Sequence, residues 1–65
     1  MSIREEIGLK IALFRKESGL SQRDLAEKAG LTQSTIYKIE NGKFSVGIDV
    51  LGKVAEALNR KIDII

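Results

Sequence analysis

Apolar residues recur at helical spacing along most of the chain, and their register divides it into four helices and a short tail. From Ser2 to Ser18, the set Ile3, Ile7, Ile11 and Phe14 recurs at i, i+4, i+8 and i+11, the stripe of a helix lying on a core, with Gly19 as its stop. A second helix starts at Gln22. Ser21 is placed to cap it, Asp24 to return the bond as a capping box, and Leu20 to staple onto Leu25. Gly30 supplies the left-handed residue that ends it; Thr32 then caps a third helix, with Leu31 stapling onto Ile36. Leu25, Ala26, Ala29, Ile36 and Ile39 fall on inward faces, and Ala26 is small where two short helices cross closely. Asn41 and Gly42 close the third helix, and Lys43 to Gly47 form a loop. Ile48, Leu51, Val54, Ala55 and Leu58 make another inward stripe, which predicts a fourth helix from about Ile48 to Leu58, opened by Ser45 or Gly47 and Asp49. Beyond it, Arg60 to Ile65 alternates apolar and charged residues around β-branched side chains, which favours an extended strand over Lys61–Ile65.

The expected fold is therefore all-α, a compact four-helix domain over residues 1–65 with a short C-terminal strand. A 65-residue chain buries only about 60% of the surface its unfolded form exposes, which leaves no room for a deep active site. Cysteine and histidine are absent, so disulfides, thiolate or imidazole metal sites and Cys-His or Ser-His catalysis are excluded. Carboxylates such as Glu5, Glu6 and Asp24 remain as acid or base groups, but no pair of them is placed in an evident pocket, and neither an enzyme nor a cofactor is expected. No apolar run approaches the roughly 20 residues that span a bilayer, and the mixed charges of the N-terminus point to a cytoplasmic protein. The initial Met and the tidy tail favour a whole protein over a cut module. The net charge of +2 fits nucleic-acid binding without requiring it.

Where the polar residues sit changes that picture. Residues 21–42 form two short amphipathic helices joined by a glycine turn, the layout of a DNA-reading helix-turn-helix. A major groove about 12 Å wide admits one helix, whose first turn reaches the base edges. The third helix presents Gln33, Ser34, Thr35, Tyr37 and Lys38 there. Gln33 suits bidentate pairing to adenine; Ser34 and Thr35 donate or accept, Thr35 also meeting a thymine methyl; Lys38 reaches guanine or a phosphate. The alternative is an ordinary solvated helix face. Gln22, first in its helix, is placed to hold a phosphate or a flanking base, or is simply a good helix former at an exposed end. Asn41, Lys43 and the amide of Phe44 are expected on the DNA backbone, where they position the protein. Arg23 is a weaker phosphate candidate, because Glu27 at i+4 offers it a surface ion pair.

At this point the chain resembles the Cro and phage-repressor family of helix-turn-helix proteins, the xenobiotic-response-element type. The resemblance rests on Ile7-Gly8 and Phe14-Arg15, Ser21-Gln22 and Leu25-Ala26, Gly30, then Ile36, Ile39 and Glu40-Asn41-Gly42, and finally Leu51, Ala55 and Leu58. It implies that the third helix enters the major groove, that the protein acts as a dimer on inverted repeats, and that Arg15 and Glu40 pair to support the recognition helix. Two features depart from the pattern. Val46 and Gly47 stand where many relatives place Pro and Ser, and the chain stops in a strand-like tail where many continue into a fifth helix, closer to the short antitoxin members.

Some apolar residues have no evident place in this fold. Leu9 and Leu13 lie on the side of the first helix opposite Ile7 and Ile11, which marks a dimer or partner contact, and Val50 and Ile65 lack a home. Ile62, Ile64 and Ile65 either pair with a second copy as an intermolecular ribbon or fold back on their own core. The expected function is a sequence-specific transcriptional regulator, a repressor binding double-stranded DNA as a homodimer. The alternative is an antitoxin whose main partner is a toxin protein, held through Leu9 and Leu13 or the tail, with DNA binding as autoregulation.

Overall fold

The computed structural model describes residues 1–62. Four helices follow one another: α1 (Ile3–Glu17), α2 (Gln22–Ala29), α3 (Gln33–Glu40) and α4 (Ile48–Ala57). Their starts follow from local hydrogen bonding. Ser21 Oγ accepts from the Asp24 amide at 2.9 Å while the Asp24 carboxylate accepts from the Ser21 amide at 3.0 Å. The same reciprocal box opens α1, where Ser2 and Glu5 exchange bonds of 3.2 and 2.9 Å. This box has the sequence signature Ser-x-x-Glu. Thr32 Oγ1 accepts from the Thr35 amide at 3.1 Å to open α3. α4 starts at Gly47 with no side-chain cap, so neither Ser45 nor Asp49 closes its first turn by a cap bond.

All four helices stop the same way. A left-handed residue follows, at Gly19, Gly30, Gly42 and Asn59, and the next amide reaches back to a carbonyl five residues earlier: Leu20 to Arg15, Leu31 to Ala26, Lys43 to Lys38 and Arg60 to Ala55, at 2.8–3.1 Å. These are Schellman-type ends, which satisfy carbonyls that a helix terminus otherwise leaves unpaired.

Leu25 from α2, Ile36 from α3 and Val54 from α4 are fully buried, and Ile11 from α1 closes the cluster with Ala26, Ala29, Ile39 and Leu58. α2 packs on α3 and α4, while α1 packs on α3. Ile3 and Ile48, expected inside, are 71% and 65% exposed. Each is the first residue of its helix and so stands beyond the stretch that its neighbours cover. Val50, expected to lack a home, packs against the core. Among the described residues there is no strand: Lys61 and Ile62 lie outside regular structure, and Asp63, Ile64 and Ile65 lie outside the described residues. Ile62 lines a shallow groove with Ile7, Phe14 and Leu58, and Arg60 lies over the Phe14 ring at 3.9 Å, so the chain as far as Ile62 returns along its own core.

Gly8 decides how closely α1 approaches α3. A Cβ there would sit 2.4 Å from the Ile39 carbonyl oxygen and 2.7 Å from that of Glu40, so only a residue without a side chain lets the two helices touch.

Candidate nucleic-acid interface

The turn between α2 and α3 occupies three residues. Gly30 takes φ 70° and ψ 33°, Leu31 packs on the core, and Thr32 begins the next helix as its cap. This turn sets α3 across α2 with Ile36 and Ile39 buried beneath it. Eight residues of helix gain little stability from propensity alone, so α3 is held by what it packs on.

Gln33, Ser34, Tyr37, Lys38 and Asn41 are all exposed, and at 100° per residue they share one face of α3. Thr35 departs from the expectation. It is half-buried, and its Oγ1 lies 2.9 Å from Thr32 Oγ1, inside the cap that starts the helix. The five candidate base-reading residues therefore split into four on the open face and one engaged at the cap. The helical angle explains it: Thr35 falls between the open face and Ile39.

Behind that face, the far end of α3 is clamped. Arg15 donates from Nε to Glu40 Oε2 at 2.6 Å and from Nη2 to Oε1 at 3.0 Å, a two-point contact between α1 and α3. Its Nη1 donates to the Leu20 carbonyl at 2.9 Å, and Gln22 Nε2 donates to Glu40 Oε1 at 3.1 Å. Glu40 thus ties α3 to both preceding helices. The side chains of Arg15 and Glu40 are only 11% and 5% exposed, and the hydrogen bonds to Glu40 raise the Arg15 pKa above its ordinary value. The Arg15–Glu40 pairing implied by the family resemblance is present. The contribution of Gln22 was not foreseen: its side-chain Nε2 donates to Glu40, which leaves its backbone amide and the second Nε2 hydrogen as the donors available to a phosphate. No spacing rule connects positions so far apart in sequence, and the Gln22–Glu40 contact emerges only once α2 and α3 cross.

The remaining phosphate candidates lie in the loop after α3 and in the first turn of α2. Lys43 and Phe44 are exposed in the loop after it. Asn41 donates from Nδ2 to the Tyr37 carbonyl at 2.8 Å, which fixes its side chain against the end of the helix. Arg23 lies 3.5 Å from Glu27 with both side chains exposed, the surface pair that its spacing allowed. Leu9 and Leu13 are exposed on α1, as expected. Among the described residues no cluster of carboxylates is arranged to hold a metal ion, and no helix is long and apolar enough to cross a membrane.

Two short helices joined by a three-residue turn, the second open on one face and braced on the other, define a helix-turn-helix domain. Residues 11–65 match the helix-turn-helix family HTH_3, and the chain belongs to it. It is 43% identical over 47 residues, 72% of this chain and 68% of the relative, to an uncharacterised helix-turn-helix transcriptional regulator of Methanothermobacter thermautotrophicus. It is 37% identical over 59 residues to the immunity repressor protein of Bacillus phage phi105, covering 91% of this chain and 41% of that protein. The fold superposes with a TM-score of 0.79 on the solved chain of SinR, a master regulator of biofilm formation, in complex with DNA, at 41% identity, covering 85% of this chain and 89% of that chain. The chain is thus a DNA-binding transcriptional regulator of the Cro and phage-repressor type.

Proposed function

We propose that the chain is a repressor that binds an inverted-repeat operator as a homodimer, with α3 in the major groove. The observation that carries this reading is the combination of an open α3 face and a braced α3 end: Gln33, Ser34, Tyr37 and Lys38 stand exposed while Glu40 is held by Arg15 and Gln22. A recognition helix needs that rigidity, because base-edge hydrogen bonds discriminate only if the donor arrives in a fixed position. In this arrangement Gln33 reads adenine through N6 and N7, Ser34 and Lys38 meet neighbouring base edges, and Tyr37 packs along the groove wall. Thr35 offers its methyl group to thymine, its hydroxyl being engaged at the cap. Lys43, Arg23 and the backbone amides of Gln22 and Phe44 take phosphates, with Asn41 holding the end of α3 beside them. The repressor direction draws on the similarity to the phage immunity repressor.

Two-fold symmetry then sets two α3 helices about 34 Å apart, one turn of B-DNA. Selection from random duplex DNA at fixed salt tests the reading. An enriched short palindrome bound by two copies is expected; enrichment of a single half-site bound by one copy would overturn the homodimer, and no enrichment would overturn sequence-specific binding.

A further inference from the structure

The outward face of α1 carries no part of the interface described above, yet it is patterned. Leu9 and Leu13 are 54% and 53% exposed one helical turn apart, and Glu6 and Lys16, both exposed, continue the same stripe at either end. Glu6, Leu9, Leu13 and Lys16 follow one another at intervals of three, four and three, the a/d spacing of a helix seam. Read in the opposite direction, the stripe is its own complement. Laid antiparallel on a second copy, Leu9 meets Leu13 of the other helix, Leu13 meets Leu9, and each Glu6 meets a Lys16. A two-fold contact requires a surface to match itself in this way. The helix dipoles favour the same arrangement, because the N-terminal end of each α1 lies beside the C-terminal end of its partner.

We propose that the occupant of this face is a second copy of the chain, seated by antiparallel α1–α1 packing with the leucines at the centre and a Glu6–Lys16 pair at each end. Charge complementarity decides the partner: a parallel second copy would set Glu6 against Glu6 and Lys16 against Lys16. The stripe from Glu6 to Lys16 is about 15 Å long, so the contact is smaller than a standard protein interface and the association is weak and concentration-dependent. The proposal deepens the homodimer reading by naming its seam, and it is tested without DNA so that the operator can fail separately.

The test is sedimentation equilibrium of the full chain over a range of concentration, for the unaltered protein, Glu6→Lys, Lys16→Glu, their double variant and Leu13→Ala, with circular dichroism to establish that each is folded. Each single charge variant places like charges at both ends of the seam and is expected to be shifted toward monomer at least fivefold in dissociation constant. The double variant restores complementarity and is expected to dimerise again. An equimolar mixture of the Glu6→Lys and Lys16→Glu chains is expected to form a heterodimer that neither chain forms with itself. A monomer at every concentration for the unaltered protein would overturn the proposal and leave the face to an unlike partner. A dimer indifferent to all of these substitutions would also overturn it, placing the homodimer contact elsewhere while leaving the operator reading intact.

Discussion

Arg15 and Glu40 stand 25 positions apart in the chain and meet through two hydrogen bonds, 2.6 and 3.0 Å long, at the junction of α1 and α3. Both side chains are almost completely shielded from water, so the pair differs in kind from the exposed Arg23–Glu27 contact. Removing one partner of a shielded pair leaves the other charge without compensation, which typically costs about 3–5 kcal/mol. A domain of this size has a total stability of roughly 3–10 kcal/mol. Arg15→Ala is therefore expected to lower the melting temperature by about 10 °C or more and to weaken operator binding with it. Combined Arg15→Met and Glu40→Leu replaces the pair by apolar contact and is expected to recover part of the stability without the binding, since Gln22 then loses its acceptor as well. Thermal melts and a binding titration check both statements; an Arg15→Ala protein with unchanged melting and affinity would remove the clamp from the account.

Gly8 supports the same junction from below. Substitution to alanine improves helix propensity by up to about 1 kcal/mol. The added Cβ, however, meets backbone carbonyls of Ile39 and Glu40 at 2.4 and 2.7 Å, and backbone cannot rotate out of the way as a side chain does. Gly8→Ala is expected to lose about 1–3 kcal/mol net as α1 moves off α3. Alanine at Gly52 is the control: it is helical in α4 and a Cβ there meets nothing within 4 Å, so a gain or no change is expected in a urea titration.

Much of this architecture follows from residues a few positions apart. Ser21 with Asp24, Thr32 before α3 and Gly30 at the end of α2 act within one turn, so their roles were legible from spacing, as were the buried Leu25, Ile36, Ile39 and Val54. Ile3 and Ile48 misled because periodicity states which side of a helix a residue occupies but not whether a neighbouring helix extends that far. Thr35 shows another limit: a residue type suited to base contact is also suited to the cap, and spacing does not reveal that the local bond to Thr32 engages its hydroxyl. The Gln22–Glu40 bond and the Gly8 approach were illegible because each depends on where two helices cross, which no pattern along the chain records.

The two capping boxes make a statement about acid stability. Backbone and side-chain hydrogen bonds from Ser2 and Ser21 hold Glu5 and Asp24 below their ordinary pKa values of 4.5 and 3.8. With the folded-state values depressed, the unfolded chain takes up protons first as the pH falls. The contribution of the boxes is thus fully present above the ordinary carboxylate range and is lost as the pH drops through it toward the lowered values. Melting temperature is expected to fall on acidification below about pH 4.5. In a Glu5→Gln, Asp24→Asn protein the amide oxygens still accept from the caps but do not titrate, so the fall is expected to be shallower. An identical pH profile for the two proteins would show that other groups govern the acid limb.

Binding to DNA separates reading from positioning by its dependence on salt. Gln33 lies on the open face of α3 one residue past the cap, where a side chain reaches base edges, while Lys43 follows the helix in an exposed loop that carries charge but no base-reading geometry. A bidentate contact to adenine is worth about 1–3 kcal/mol, so Gln33→Ala is expected to weaken binding to the selected operator by about 5- to 150-fold for each copy bound, relax the preference at one symmetric base pair in each half-site and leave the salt dependence unaltered. Lys43→Ala removes a counterion-releasing contact instead. It is expected to weaken binding about equally on operator and random DNA and to reduce the slope of log affinity against log salt by about one for each copy bound. Titrations of both variants on operator and scrambled duplexes at several salt concentrations distinguish the roles. If Gln33→Ala lost affinity on both duplexes alike, α3 would be touching the DNA backbone rather than reading bases, and the open face of the helix would be a docking surface for phosphate.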